Sequence, residues 1–482
     1  MPVAGFDLVM ATLFVAAQGL YLLSFAVDLH LFTLPVNFVE PRDGPYPRPT
    51  EPPLIVLFYP VLRELESTMR TTFTSLQRLD YPAGRYRVVA VPNRSDHATI
   101  ARLRKLQDEF AFLEVLETPP TSDPAWDVVW ADWDRNPNAY WWRRGPRARD
   151  RDLPPKKTRQ LIYAFYTVAA STPGDFLVNY IDADSCPPAD HFLAGAAGMQ
   201  EFDVLQSQNV AGNLNKTLAA SWHALDHMIW DGGKYPHLSA DGKQPYWVLG
   251  KGLFFRASDL LRLGGFHPWI AIEDPEVGMR FWKAGLRLGV IRQPLIEEVP
   301  ETFGHGITQR KRWVCGFFQS LTAPLTALNY TPAEKAKAWL NFLPCLSLSI
   351  NLVGAPTGAW ALWKLLTHAQ ALPFWTWGLA AVNLLLLAAS FANIYVRTWK
   401  RTALVLETRR ERMAYMLRVN PVFVMVWWCV WIIPLAMGLW MFLRDQGLVW
   451  ERTEKTNANE ALIEKLAVVP ATASAREGAR PL

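Results

Sequence analysis

Cysteine is scarce in this chain, with four residues in 482: Cys186, Cys315, Cys345 and Cys429. They lie far apart, which excludes a disulfide framework or a zinc site and leaves four free thiols. Long tracts of one charge are missing too. The formal net charge is only +5, and no basic tract suggests nucleic acid as a partner. The N-terminus lacks the basic segment and the Ala-x-Ala site of a cleaved signal peptide, so its first apolar run reads as an uncleaved helix. What is abundant is apolar surface. Half of the residues are hydrophobic and 22 are Trp. They concentrate near the two ends, and the length allows two or three domains.

The first apolar run is uncharged from Leu8 to Val27, about the 20 residues that span a bilayer. Residues 1–36 are therefore expected to form a transmembrane helix. Arg42 and Arg48 follow it and no Lys or Arg precedes it. By the positive-inside rule the N-terminus lies outside and the next domain is cytosolic. Residues 37–53, rich in Pro, read as a linker.

From residue 54 to 307 the pattern changes to strands alternating with helices, which implies a mostly parallel sheet. Strands are expected at Leu54–Pro60, Tyr86–Pro92, Phe112–Glu117, Phe176–Asp184 and Asp203–Gln208, and a helix at about Glu64–Leu79. Tyr59, closing the first strand, and Glu64, just after it, are candidate substrate contacts. Between 119 and 155 the chain is irregular, with Trp126, Trp130, Trp133, Trp141, Trp142 and a basic run from Arg143 to Arg151. It reads as an insertion packed on the domain, with a lipid-headgroup contact or sugar stacking as alternatives. Lys156 to Arg159 opens a helix. Cations suit a helix start poorly, which suggests that Lys157 or Arg159 meets an anion such as a diphosphate. Glycines in Trp247–Arg256 mark a close backbone approach.

Asp-x-Asp occurs three times: Asp132 with Asp134, Asp150 with Asp152, and Asp182 with Asp184. The first two sit in polar, Arg-rich sequence and read as solvated loop charges. Only the third ends an apolar, β-prone run, the kind of buried parallel strand whose C-terminal end holds ligands. Asp182 and Asp184 are thus the expected ligands of Mg²⁺ or Mn²⁺, which take carboxylate oxygens together with substrate phosphates. Downstream, Asp274 precedes Pro275. It reads equally as a helix N-cap or as a general base with Glu273 beside it.

Residues 308–335 carry Trp313, Phe317, Leu321, Leu325 and Leu328 at helical spacing, with basic residues at the head. This amphipathic pattern is expected to lie in the membrane interface. From 336 to 445 two apolar stretches, Trp339–Leu366 and Phe374–Val396, read as an outward and a returning span, with a second interfacial helix at 404–417. Val422–Leu443 is long enough to cross but contains Pro434. It is either a full span, which puts the C-terminus outside, or a bent hairpin, which keeps it inside. Residues 446–482 form a tail expected to be disordered from about 457.

Taken together, these features resemble the membrane-embedded family 2 glycosyltransferases, the group of the cellulose, chitin and hyaluronan synthases and of some glycolipid-forming enzymes. The resemblance covers roughly residues 52–330 and the flanking helices. Its marks are Leu79–Pro82, Ile181–Ser185 around Asp182 and Asp184, Ile272 with Glu273 and Asp274, Pro300–Thr302, and Gln309-x-x-Arg312-Trp313. Trp450–Thr456 is similar to a tail motif of some bacterial members, which implies a cytosolic C-terminus. The resemblance implies a nucleotide-sugar-binding (GT-A-like) α/β domain with a mixed, mostly parallel sheet, plus α-helical transmembrane segments. It implies that Asp182 and Asp184 hold Mg²⁺ or Mn²⁺ on the nucleotide diphosphate, and that Asp274 takes the proton of the attacking acceptor hydroxyl. Gln309, Arg312 and Trp313 would close over the diphosphate and the acceptor end. The single displacement it implies inverts the anomeric centre. Where the family often has paired Asp residues on the nucleotide base, this chain has Pro92-Asn-Arg-Ser-Asp96, which leaves both UDP- and GDP-sugars open as donors.

Three functions follow as expectations. The first is elongation of a β-linked polysaccharide, in which so few spans call for a homo-oligomer or an export partner. The second adds one sugar to a lipid in the inner leaflet. The third is an inactive scaffold subunit, against which the intact Asp182, Asp184, Asp274 and Arg312 argue. All three place the chain in the inner or plasma membrane, with the bilayer itself as a partner and no nucleic acid.

Overall fold

The computed structural model of the chain describes residues 2–41, 45–367, 372–445 and 455–468. Arg42, the stretch Trp450–Glu454 of the tail motif and residues 469–482 lie outside the described residues. Cys186, Cys315 and Cys429 are free thiols, as the spacing predicts.

Seven strands form one sheet: β1 Ile55–Val61, β2 Tyr86–Pro92, β3 Leu113–Val115, β4 Leu177–Tyr180, β5 Val204–Ala211, β6 Leu253–Arg256 and β7 Leu288–Glu297. Their order is β3-β2-β1-β4-β6-β5-β7. Only β6 runs antiparallel to its neighbours, so the sheet is mixed and mostly parallel. β6 and β7 add to the five strands read from the sequence. Successive residues of β1 enter opposite cores: Val56 and Phe58 one, Ile55, Leu57, Tyr59 and Val61 the other. Both faces are buried, which explains the unbroken apolar run. The chain leaves β1 for β2 and β3, then returns to β4 on the other side of β1. The C-terminal ends of β1 and β4 therefore adjoin at a topological switch point, where open α/β sheets bind ligands.

The Trp-rich insertion is core. Trp126, Trp130, Trp133, Trp141 and Trp142 are all buried, on the helices Asp127–Arg135 and Tyr140–Arg143 and the turn before them. Trp126, Trp130 and Trp133 recur at i, i+4 and i+7, one helical face. Trp130 stacks on Trp142 at 5.3 Å and 9°, and the cluster packs on Tyr163 and Tyr166 of the helix Lys157–Ser171. Asp132 and Asp134 are not loop charges. They sit on the insertion's helix and accept from Tyr166 Oη at 2.9 Å and Trp142 Nε1 at 2.8 Å.

Gly5–Thr33, Phe374–Thr402 and Pro421–Leu443 are long and apolar enough to cross a membrane, and the bent pair Pro332–Leu343 and Leu348–Leu366 is a fourth candidate. Three of these form a bundle standing on the domain. At its far end Lys364 Nζ meets Asp7 at 2.7 Å. At its near end Asp28 meets Lys234 at 2.7 Å, and Arg401 donates to the Asn209 carbonyl at 2.8 Å. Asp7 and Asp28 are on one helix, so the two ends are about 30 Å apart at 1.5 Å per residue, the thickness of a hydrocarbon core. The fourth, Pro421–Leu443, behaves differently. Just before it, the Arg418 carbonyl accepts from Trp222 Nε1 at 2.8 Å. Just after it, Asp445 pairs with Arg147 at 2.9 Å. Both of its ends are thus tied to the α/β domain. The sharp bend occurs in the 332–366 segment and not at Pro434.

The amphipathic helix runs Phe303–Ala327. Its stripe of Phe317, Leu321 and Leu325 is buried in the domain core, against Trp247 and Phe342, and does not face lipid. On its other side Gly438 allows the helix Pro421–Leu443 to approach closely; a Cβ there would come 2.7 Å from the Lys311 carbonyl. The tail holds a helix, Glu460–Val468, where disorder is expected. Ile463 is buried, and Asn457 bonds Thr71 at 2.9 Å.

Candidate active site

Beyond the C-terminal ends of β1 and β4 lies a cavity of about 300 Å³. The chain leaves β4 in a tight turn in which Ser185 N donates to the Asp182 carbonyl at 3.0 Å. The turn is held from behind: the Ala183 carbonyl accepts from Tyr59 Oη at 2.6 Å and from Thr72 at 2.9 Å. The Asp182 and Asp184 carboxylates are thereby presented to the cavity, as the strand-end position predicts. Each already faces a cation. Lys157 Nζ lies 2.7 Å from Asp182 and 3.3 Å from Glu273. Lys455 Nζ lies 2.5 Å from Asp184, which also accepts from the Glu298 N–H at 2.9 Å. Burial raises the Asp182 carboxyl, but Lys157, Lys251 and Lys455 outweigh it and hold the group below its usual range.

Asp274 opens the helix Asp274–Lys283 but does not cap it. The cap position belongs to Glu273, whose side chain makes no capping bond. Asp274 Oδ2 instead accepts from the Gly250 N–H at 2.6 Å. Burial and the Glu273 charge push its carboxyl up to about 7, against the pull of Lys157 and Gly250. A carboxyl that titrates near neutrality and faces a cavity is suited to accept a proton.

The cavity wall also takes in Glu64, Lys157, Gln309, Arg312 and Trp313. Asp182, Asp184, Glu273, Asp274, Lys157, Glu64, Gln309, Arg312 and Trp313 are thus brought together from across the sequence. Two expected contacts lie elsewhere. Tyr59 is fully buried behind the Asp182 turn. Arg159 donates to the Asn93 side chain at 2.6 Å, away from the cavity. Asp96 caps the helix His97–Gln107 through the Thr99 N–H and also accepts from Arg63 N.

Several lining residues are additions. Lys251, paired with Glu297 at 2.5 Å, stands between Gly250 and Gly252 just before β6, and that Gly-Lys-Gly stretch was its signal. Lys455 lies in the tail motif. His227, paired with Asp231 at 2.8 Å, had no signal in the sequence. Among the described residues no group of three or more His, Cys, Asp and Glu forms a ready-made metal cage. Asp182 and Asp184 are nonetheless the hard oxygen donors that a hard divalent cation takes, each paired here with an ammonium group. Away from the charges the wall becomes aromatic and apolar, with Trp230, Tyr235, Trp247, Phe317, Leu348 and Leu435.

The pattern of glycosyl transferase family group 2 matches residues 177–443, more than half of the 482 residues. A mannosyltransferase of Pyrobaculum calidifontis, solved in complex with GDP-Man and Mn2+, shares the architecture at a TM-score of 0.53 and 17% identity, over 91% of this chain and 99% of that one. TarS of S. aureus, residues 1–349 with UDP-GlcNAc, is more distant, at a TM-score of 0.36 and 11% identity over 82% and 92%. No curated protein sequence matches the chain. The first likeness bears out the GT-A-like α/β fold.

Proposed function

The chain belongs to glycosyl transferase family group 2, and from that premise we propose that it is a membrane-embedded, inverting hexosyltransferase. It moves one sugar from a nucleoside diphosphate to an acceptor hydroxyl. The observation that carries this reading is the single cavity in which Asp274, the Asp182–Asp184 turn and the three ammonium groups of Lys157, Lys251 and Lys455 meet. The acceptor oxygen attacks the anomeric carbon while the bond from that carbon to the diphosphate oxygen breaks. The acceptor proton passes to Asp274, whose near-neutral carboxyl suits a general base. Lys157 and Lys455 neutralise the diphosphate, Arg312 offers planar donors to phosphate oxygens, and Trp313 offers a flat apolar face to a sugar ring. Asp182 and Asp184 would hold Mg²⁺ or Mn²⁺, which neutralises charge on the leaving group.

The bundle of Gly5–Thr33, 332–366 and Phe374–Thr402 crosses the inner or plasma membrane three times, with the catalytic domain cytosolic. The helix Pro421–Leu443 runs along the domain, so the tail returns to the catalytic side. That return is what allows Lys455 to reach Asp184.

Elongation of a β-linked polysaccharide is the favoured reaction, because the wall beyond Asp274 includes the aromatic rings of Trp230, Tyr235 and Trp313, which suit stacking of sugar rings. Transfer of one sugar to a lipid is the second reading. It is favoured by Leu348 and Leu435, which bring the same wall to membrane-side helices. The test uses the full chain in nanodiscs with Mn²⁺ or Mg²⁺ and UDP-glucose, UDP-GlcNAc, UDP-galactose or GDP-mannose. Metal-dependent release of nucleoside diphosphate with a high-mass product, lost in Asp274→Asn, is the expected result. A one-sugar product formed only with added lipid moves the acceptor to the second reading. Absence of release from every donor overturns the proposal.

A further inference from the structure

The chemistry above leaves unused a buried charged cluster under the Gln309–Trp313 turn. Asp226, on the helix Leu218–Ile229, is 3% exposed and Arg310 is 0% exposed. Arg310 Nε and Nη2 both donate to Asp226 Oδ2, at 3.0 and 2.5 Å. The same carboxylate accepts from the indole N–H of Trp427 at 3.1 Å and of Trp431 at 3.2 Å. The guanidinium carbon lies 5.1 Å from the Trp427 ring, 5.2 Å from Trp431 and 5.4 Å from Trp313. Three helices are joined at one carboxylate: Leu218–Ile229, Phe303–Ala327 and Pro421–Leu443.

A buried ion pair is a poor way to gain stability, since apolar side chains of the same volume serve as well or better. What such a pair specifies is geometry. Arg310 and Trp313 are three residues apart on one helix and are surface neighbours, so an immobile guanidinium fixes the face of Trp313 that it stacks on. It also fixes the turn from which Arg312 projects. His227, next to Asp226, stands edge-on to Trp313 at 6.0 Å. Asp226 and Trp431 reach the cavity wall beside Trp313.

We propose that Asp226 is a positioning residue for sugar transfer: through Arg310 and the indoles of Trp427 and Trp431 it fixes Trp313 at the acceptor end of the cavity and makes the lipid-facing helix Pro421–Leu443 part of the site. The inference rests on the reading that Trp313 holds the acceptor sugar. It gives this helix a role beyond anchoring, since a change in how it sits on the domain is felt at Trp313.

The test uses the full chain in nanodiscs and whichever donor of the four the wild type turns over. The charge-free double variant Asp226→Leu/Arg310→Met removes the pair at similar volume, and Trp427→Phe/Trp431→Phe removes only the two indole donors. The readouts are the thermal midpoint, the donor KM, the transfer kcat and the share of donor sugar lost to water. Expected for the charge-free variant are a midpoint lowered only by the loss of the acceptor of the two indole donors, a donor KM close to wild type, a transfer kcat lower by about tenfold or more, and a larger hydrolysed share. The indole variant moves the same way by less. A charge-free variant with wild-type kcat and hydrolysed share overturns the proposal. So does a loss of activity that only follows the loss of folded protein. Trp313→Ala is the control for the underlying reading: if it leaves kcat and the hydrolysed share unchanged in a working wild type, that reading fails and the inference falls with it.

Discussion

The two ends of the cavity are built by opposite means. The end proposed for the donor is made of charges at a strand end, a helix start and loops: Lys157 pairs with Asp182, Lys455 with Asp184 and Lys251 with Glu297. The end proposed for the acceptor is lined by aromatic rings, and the ring of Trp313 stands beside the buried Asp226–Arg310 pair. The first matches a ligand that is polar, charged and small. The second matches a surface that must slide or be wetted by lipid. Asp274 stands where the two meet. Burial and Glu273 raise its carboxyl and Lys157 and Gly250 restrain it, so its charge is set from the proposed donor end while its proposed partner is the acceptor.

That division is broken most severely at the junction. Asp274→Asn keeps the Gly250 N–H occupied by the amide oxygen and so keeps the fold. It is expected to lower transfer kcat by on the order of 10²–10⁴-fold, the usual worth of a positioned base. Donor binding, followed by calorimetry with the nucleoside diphosphate and Mn²⁺, is expected to change little. An equal loss of binding and turnover would place Asp274 at the donor end alone.

Asp184→Asn comes next. It is expected to cost about 3 kcal/mol of transition-state stabilisation, or ~10²-fold in kcat/KM, if the carboxylate carries a metal. The loss should be partly recovered by raising Mn²⁺ in the assay. Lys455→Ala is smaller and has opposite signs in two measurements. Its ammonium pairs with Asp184 at 2.5 Å. Removing it should tighten Mn²⁺ binding to the donor-free protein. It should also raise the donor KM by about tenfold, one charge-assisted hydrogen bond. A change of the same sign in both would mean that Lys455 only supports the turn.

The donor end was also the more legible of the two. The run from Phe176 to Asp184 carries its strand, its end and its carboxylates within nine adjacent residues, and Asp274 stands two residues after Ile272 in a recognisable stretch. Local spacing suffices for such features. Lys455 and Asp184 are 271 positions apart, and Trp427 and Asp226 are 201 apart. No local pattern announces pairings of that kind. Tyr59 and Arg159 illustrate the same limit: each lies close to a correct motif, yet packing turned one behind the turn and the other toward Asn93. The five Trp of the insertion were readable in part, since 126, 130 and 133 share a helical face. Hydropathy alone leaves the helix Pro421–Leu443 between a span and a hairpin, because it records length and not the partners of the flanking Arg418 and Asp445.

The finest cut through the comparison is electrostatic. Glu273 raises the Asp274 carboxyl, second only to burial, while Glu273 itself sits 3.3 Å from Lys157 at the donor end. As the proposed base, Asp274 works when deprotonated, so transfer kcat should rise with pH through about 7 in the wild type. Glu273→Gln removes a negative neighbour, stabilises the Asp274 carboxylate and should move that rise to lower pH. At a fixed pH below 7 the variant should then hold a larger fraction of its base ready. Lys156, whose buried ammonium is also pushed down to about 7, titrates in the same range. The direction of the Glu273→Gln shift does not separate the two, but Lys156→Met does. Loss of a carboxylate at 273 lowers the Asp274 value, and it lowers the Lys156 value as well, since Glu273 is what supports that ammonium against burial. A profile that rises with pH and shifts down in Glu273→Gln, but stays in place in Lys156→Met, assigns the rise to Asp274. A profile that disappears in Lys156→Met assigns it to the lysine and removes the proton-accepting role from the junction of the two ends.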